Sequence, residues 1–331
     1  MDFKKIISDA RPNIKESSLK MYSQNLRKLL GDSKDYKPLL KFEEIQKKLE
    51  DKSDNTKRNY YNSIIVLLQA EKAQPKILRK YESERDELND RYDKIQSSGQ
   101  MTEKDKKNFV ELSELSDMLI KMKKEITLKK LHKKPLEKFS KEDKELYDGY
   151  FLFSSYLALP LRNDLADVEI ISKHEYNEMD DKDKENKNFL VLQNGASKTY
   201  FLSLNNYKTN KKYKEKIIEI PKELMYTYKQ YVAKQRPFKY LITTRKGQRV
   251  SRNYFTQFLQ KISKKYLGKS ISTTLLRKII LSDKFGEVNK EKQEMAYITS
   301  HDISTMDKVY IKQTGDDIKQ SEEKDQTKKD D

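Results

Sequence analysis

The spacing of apolar residues switches from helical to strand-like and back along this chain, and that switch limits the folds open to it. Up to about residue 74 the apolar positions recur at helical intervals. Leu19, Tyr22, Leu26, Leu29 and Leu30 form one stripe, Phe42, Ile45 and Leu49 a second, and Tyr60, Ile64, Leu67 and Leu68 a third. Asp54-Asn55-Thr56 supplies cap residues for the third helix, and Gly31 punctuates the series. Much later the pattern becomes that of strands. Residues 188–193 and 199–204 are short runs of β-formers separated by Asn194-Gly195, a hairpin signal, and 217–220 reads as a third strand stopped by Pro221. Helical spacing returns at 222–234, 252–266 and 273–282. The expected fold class is therefore an all-α N-terminal unit followed by a mixed α+β unit with a small antiparallel sheet.

The intervening sequence sets the expected boundaries. Gln74-Pro75 breaks the first pattern, and a polar helix follows over 76–96 with Ile77, Tyr81, Leu88, Tyr92 and Ile95 along one side. That helix reads as an arm or a short coiled coil. Ser97-Ser98-Gly99-Gln100 is a turn, and Thr102-Glu103-Lys104-Asp105 has the form of a capping box opening the next helix. Ser140-Lys141-Glu142-Asp143 is a second such box, ahead of an apolar helix over 147–159. The expected organisation is a helical unit at 1–74, an arm and linker at 75–104, an α+β unit at 105–315, and a charged tail at 316–331 with too little apolar content to fold.

Composition narrows the function classes. Only 35% of the residues are hydrophobic and 37% are charged, with no run of about 18 apolar residues that would span a bilayer. Met1-Asp2-Phe3-Lys4-Lys5 is not followed by an apolar segment, so a secretory signal is not expected. The chain has no cysteine, which excludes disulfide scaffolds, thiolate zinc sites and cysteine nucleophiles and fits a reducing, intracellular compartment. His132, His174 and His301 are far apart, so neither a histidine-built metal site nor a bound cofactor is expected. The net charge of +17 favours a polyanionic partner, because neutralising phosphates releases counterions. The competing account is an AT-rich coding bias, which also raises the lysine count.

Candidate chemistry gathers at four places. Ser304 and Asp307 form a capping box, so a helix is expected from about Thr305, with Tyr310 less than two turns into it and His301 in the loop before. A tyrosine on a short helix is ordinarily a packing or surface residue. Arg277 interrupts the apolar helix that begins near Thr273, and a half-buried arginine requires an anion, either a carboxylate of the fold or a phosphate. Arg162 closes the apolar segment Leu157-Ala158-Leu159-Pro160-Leu161, next to Asn163 and Asp164. Lys208 lies in the basic loop Asn206-Tyr207-Lys208-Thr209-Asn210-Lys211-Lys212, after the second strand.

The ordered set Arg162, Lys208, Arg277, His301 and Tyr310 resembles the tyrosine recombinases, or phage integrases, and the nine-residue interval from His301 to Tyr310 is that family's interval. Pro160-Leu161-Arg162-Asn163-Asp164, Tyr207-Lys208-Thr209 and Leu276-Arg277-Lys278 look closest to members from large DNA viruses and virophages. The resemblance spans about residues 15 to 312. It implies a helical core-binding domain of SAM-like type, a catalytic domain, and a C-shaped clamp on double-stranded DNA. Tyr310 would be the nucleophile, Arg162, Arg277 and His301 would hold the scissile phosphate, and Lys208 would protonate the leaving oxygen. It further implies a homo-tetramer on paired sites, no metal, and integration or excision of a viral or mobile element, in the host nucleus or cytoplasm if viral.

Three positions depart from the family pattern. Thr274 stands where a histidine usually precedes the second arginine, Leu165 stands where an acid usually follows the first, and Ser300 replaces a glycine before His301. Threonine can donate a hydrogen bond to phosphate but cannot shuttle a proton near neutral pH. Lys198, Lys211, Lys212 and Lys214 compete with Lys208. The alternatives are a type IB topoisomerase, a telomere resolvase, a catalytically impaired DNA-binding relative, and a lysine-rich RNA-binding scaffold.

Overall fold

The computed structural model of the chain describes residues 2–300 apart from 32, 34, 194–198 and 236–237, together with 302, 303 and 307. It divides into two compact units, Met1–Thr102 and Glu103–Asp331. The expected tail at 316–331 lies outside the described residues.

The first unit is all helical: α1 (Phe3–Ala10), α2 (Glu16–Leu30), α3 (Phe42–Leu49), α4 (Asp54–Ala70) and α5 (Pro75–Ser97). The three expected stripes face one core, where Leu26, Ile64, Leu67 and Leu68 are fully enclosed. Helix α1 was not expected. The Asp2 carboxylate caps it by accepting from the backbone N–H groups of Lys4 and Lys5 at 3.1 and 3.2 Å, and Phe3 and Ile7 carry it into the core. Helix α5 departs from the expected free arm. Its Tyr81 and Leu88 are buried in the same core, and the Tyr81 hydroxyl donates to the Leu39 carbonyl at 2.8 Å. Burying each such side chain contributes roughly 1.5–3 kcal/mol, enough to hold a polar helix in place. Towards its end Tyr92 and Ile95 are exposed, with the Arg58 guanidinium of α4 lying 4.2 Å over the Tyr92 ring.

The second unit contains α6 (Glu103–Asn108), α7 (Leu112–Leu128), α8 (Lys141–Ala158), β1 (Val168–Ser172), α9 (Lys173–Glu178), α10 (Asp181–Lys184), β2 (Asn188–Leu192), β3 (Tyr200–Leu204), α11 (Asn210–Tyr213), β4 (Lys216–Glu219), α12 (Lys222–Gln235), α13 (Arg252–Leu267) and α14 (Thr273–Ile298). The strands lie in the order β1-β2-β3-β4. The sheet is mixed rather than wholly antiparallel. The pairs β2–β3 and β3–β4 are antiparallel, while β1, which the sequence reading passed over, pairs parallel to β2. Asn194-Gly195 lies outside the described residues, but the strands on either side of it pair antiparallel as expected, with Leu192 opposite Tyr200. Leu190, Leu202 and Leu204 face the main core, and Phe189, Val191 and Phe201 pack on Tyr176 of α9 on the other face, so β2 is apolar on both sides.

Helix α8 is the axis of this unit. Ser140 and Asp143 cap it reciprocally, as expected. Gly149 is its point of closest approach, since a Cβ there would meet Met122 of α7 at 3.0 Å and Ile262 of α13 at 3.1 Å. One buried ion pair sits on it: Lys144 Nζ to Asp148 Oδ2 at 2.7 Å, with Asp148 Oδ1 also accepting from the Tyr231 hydroxyl at 2.8 Å. Asp148→Ala strands the ammonium and the phenol together and is expected to cost about 3–5 kcal/mol. Lys144→Met leaves the acid with the tyrosine and is expected to cost less. The urea midpoints of the two variants check that order.

Among the described residues no helix is long and apolar enough to cross a membrane.

Candidate active site

Four separate stretches of the second unit converge on one shallow cleft of about 240 Å³, lined by Arg162, Asn163, Asp164, Lys208, Arg252, Thr273, Thr274 and Arg277. Four of these, Arg162, Lys208, Thr274 and Arg277, are residues singled out from sequence. His301 and Tyr310 lie outside the described residues, as do Ser304 and Thr305 of the expected capped helix.

Arg162 is delivered by the end of α8. Leu159-Pro160 cannot continue the helix, and the chain turns. The buried Tyr156 hydroxyl donates to the Arg162 carbonyl at 2.5 Å, which fixes the backbone while the side chain stays exposed. Asn163 then joins this turn to two helix starts. Its amide donates to Thr256 Oγ1 at 2.7 Å and to the Arg252 carbonyl at 3.3 Å on α13. Its Oδ1 accepts from the buried Thr273 hydroxyl on α14 at 2.6 Å, across 110 residues of sequence.

Arg277 sits one turn into α14, which Ser272 caps through the Leu275 N–H. Among the described residues its guanidinium donates within its own helix, to the Thr273 carbonyl at 3.3 Å and Thr274 Oγ1 at 3.4 Å. Burial lowers its affinity for the proton, and the neighbouring charge of Arg162 lowers it further. An arginine does not lose its proton under such pressure. The pair is therefore two fixed like charges close together, and an anion between them relieves the repulsion. Among the described residues no ion pair engages Arg162, Lys208 or Arg277.

Asp164 has the opposite character. It is buried, and burial pushes its carboxyl up, with Arg252 the chief pull the other way. Arg252 Nη2 stands 3.9 Å from Asp164 and 3.4 Å from Asp167 and donates to the Asn206 carbonyl at 2.7 Å. Within ion-pair distance the carboxylates of the cleft reach Arg252, and Asp164 acts on Arg162 and Arg277 only from further away. Leu165, at the position where an acid was expected, is fully buried in the core.

Lys208 is delivered by the connection between β3 and β4. Its neighbours are tied down: Tyr207 is buried and donates to the Lys214 carbonyl at 2.6 Å, and Asn210 donates to the Asn205 carbonyl at 2.9 Å. Lys208 itself is exposed. Of its competitors, Lys212 and Lys214 do not line the cleft, Lys198 lies outside the described residues, and the side chain of Lys211 does too.

Sequence reasoning missed Arg252, Thr273 and Asn188. Arg252 follows Ser251, which caps α13 through the Tyr254 N–H, and an arginine in a first helical turn is out of place against the helix dipole. Asn188 opens a strand whose other residues are all apolar. Both anomalies are visible in the sequence.

No protein-family profile matches the chain, and no curated protein does. Among solved structures the chain is similar to XerA recombinase, at 11% identity over 97% of each chain with a TM-score of 0.34. It is also similar to XerH site-specific recombinase bound to its difH substrate in a pre-cleavage complex, at 11% identity over 94% of this chain and 84% of that one, with a TM-score of 0.44. Likeness at this level assigns neither family nor chemistry.

Proposed function

We propose that this chain is a site-specific DNA recombinase of the tyrosine type, which cuts and rejoins DNA through a 3′-phosphotyrosine link. The observation that carries the reading is the convergence of Arg162, Lys208 and Arg277, distant in sequence, on one open cleft where, among the described residues, none of the three is in an ion pair and the one lining carboxylate, Asp164, stands closest to Arg252. Three such cations in a chain of net charge +17 suit a phosphate of a polyanionic strand.

The chemistry follows from the donor set. Arg162 and Arg277 offer forked, permanently charged donors to the two non-bridging oxygens, where negative charge builds in the transition state. His301 adds a third donor in this reading. The Tyr310 oxygen attacks phosphorus in line, a P–O bond to tyrosine forms, and the bond to the 5′-oxygen breaks. Lys208 gives that oxygen its proton, leaving a free 5′-hydroxyl. The link conserves the bond energy, so the reverse attack by a 5′-hydroxyl rejoins the strand without ATP. Thr274 can donate a hydrogen bond to the phosphate but cannot accept the tyrosine proton near neutral pH, so that proton goes to another acceptor. In the same reading the helical first unit grips the duplex, a homo-tetramer assembles on paired sites, and the purpose is integration or excision of a viral or mobile element inside the cell.

The test is a suicide duplex nicked beside the cleavage site, so that the cut strand diffuses away. The expected result is a covalent adduct whose DNA-linked peptide maps to Tyr310. Binding without any adduct overturns the enzymatic reading in favour of a DNA-binding relative, and a link at another tyrosine overturns the site.

A further inference from the structure

Asn188 is the most constrained polar side chain near the cleft, yet it does not line it. It opens β2, is completely buried, and precedes four apolar residues. Its carboxamide is fully engaged. Oδ1 accepts from the backbone N–H of Asn205 at 3.0 Å and of Asn206 at 2.8 Å. The amide nitrogen donates to the carbonyl of Asp164 at 3.2 Å, to Asp167 Oδ1 at 3.2 Å and to the carbonyl of Asn206 at 3.1 Å. One side chain therefore spans the two segments that carry cleft cations. On one side is the turn that begins at Arg162, and on the other the strand exit that reaches Lys208 two residues later.

A buried amide with these contacts costs more to remove than a surface one, because the Asn206 N–H loses its acceptor and the Asn205 N–H keeps only the Lys187 carbonyl at 3.2 Å, both in a part-buried place. Sheet stability alone does not require it. β2 and β3 already pair over five positions, from Asn188 opposite Leu204 to Leu192 opposite Tyr200. What the carboxamide adds is a fixed distance between the Arg162 turn and the Asn205-Asn206 exit. Arg252 reinforces the same joint by donating to the Asn206 carbonyl at 2.7 Å while paired to Asp167. Lys208 is left with a pinned backbone and an exposed side chain.

We propose that Asn188 is a positioning residue that sets Lys208 at its working distance from the phosphate held by Arg162 and Arg277. The inference rests on the reading of the cleft as a strand-cleavage site. A displacement of the Lys208 backbone of about 1 Å is expected to slow cleavage on the order of 10²-fold while the arginines and DNA binding stay intact.

The test is a double-mutant cycle on single-turnover cleavage at saturating DNA, with Asn188→Ala, Lys208→Ala and the double variant. If Asn188 acts through Lys208, the double variant is no slower than Lys208→Ala alone. If the two losses multiply, the proposal falls. Circular dichroism and duplex affinity accompany each variant. Should Asn188→Ala fail to fold, Asn188→Ser, which keeps a hydroxyl for the two N–H groups, runs the same cycle. A second substrate, with sulfur replacing the 5′-bridging oxygen, separates this proposal from the reading beneath it. Sulfur leaves without a proton, so Asn188→Ala is expected to cleave it at close to the wild-type rate. Equal slowing on both substrates overturns the proposal. A wild type that forms no adduct on either substrate overturns the strand-cleavage reading, and the proposal with it.

Discussion

Arg277→Ala lowers the single-turnover rate of strand cleavage by on the order of 10²–10³ while duplex affinity stays close to that of the wild type. The expectation follows from where Arg277 is and what it lacks. It is half-buried beside Arg162, and among the described residues its hydrogen-bond partners are oxygens of its own helix. Those bonds satisfy part of its fork without neutralising its charge. A bound phosphate supplies the missing anion, and the extra charge of the transition state strengthens that contact most. The loss therefore falls on the chemical step more than on binding. In the proposed reading, affinity draws on 70 basic residues and a net charge of +17, so the loss of one arginine changes it little. Arg277→Lys tests geometry apart from charge, because an ammonium cannot present two parallel donors. It is expected to recover affinity but little of the rate. A loss of less than about tenfold for Arg277→Ala, where one preorganised donor is ordinarily worth far more, removes this arginine from the reacting phosphate. The readout is adduct formation against time on the nicked duplex.

The parts of this fold that a sequence reveals are those written as local rules. The stripes of α2, α3 and α4 carry their period in consecutive residues, and the Ser140–Asp143 box announces α8. β1 was missed because Val168-Glu169-Ile170-Ile171-Ser172 is short and carries a charge, and because its partner is β2, reached only after α9 and α10. The helix at 76–96, read as an arm or a short coiled coil, joins the core through a few apolar side chains, Tyr81 and Leu88 with Ile77 and Leu78 beside them, in an otherwise polar sequence. The expected end of the last helix at 282 fell short by sixteen residues of charged sequence that still favour helix, up to Ile298. The cleft shows the same division. Arg162 and Arg277 could be picked out one by one, since each is a cation against an apolar segment, whereas Lys208 stood out from its neighbouring lysines only through the family resemblance. That they share a cleft is a tertiary fact. It depends on Asn163 reaching Thr273 and on Asn188 joining two loops, contacts no window of sequence contains.

Lys208→Ala is expected to slow cleavage of an ordinary phosphodiester by roughly 10²–10⁴, the usual worth of a positioned general acid, and to cleave the 5′-bridging sulfur substrate nearly as fast as the wild type. An alkoxide is a poor leaving group and needs its proton as the bond breaks, whereas a thiolate departs without one. The rescue thus separates proton donation from every other service a cation provides. If Lys208 merely neutralised phosphate charge, as Arg162 and Arg277 are read to do, its loss would slow both substrates alike. The setting favours donation: Lys208 is exposed at the rim of the cleft on a pinned loop, and among the described residues no carboxylate holds its ammonium. A flexible stem on a fixed base can follow the leaving oxygen, which a half-buried guanidinium cannot. Lys212 and Lys214, which do not line the cleft, provide the control. Replacing either with alanine is expected to leave the ratio of the two substrates' rates unchanged, and a rescue seen with one of them in place of Lys208 would move the acid to that position.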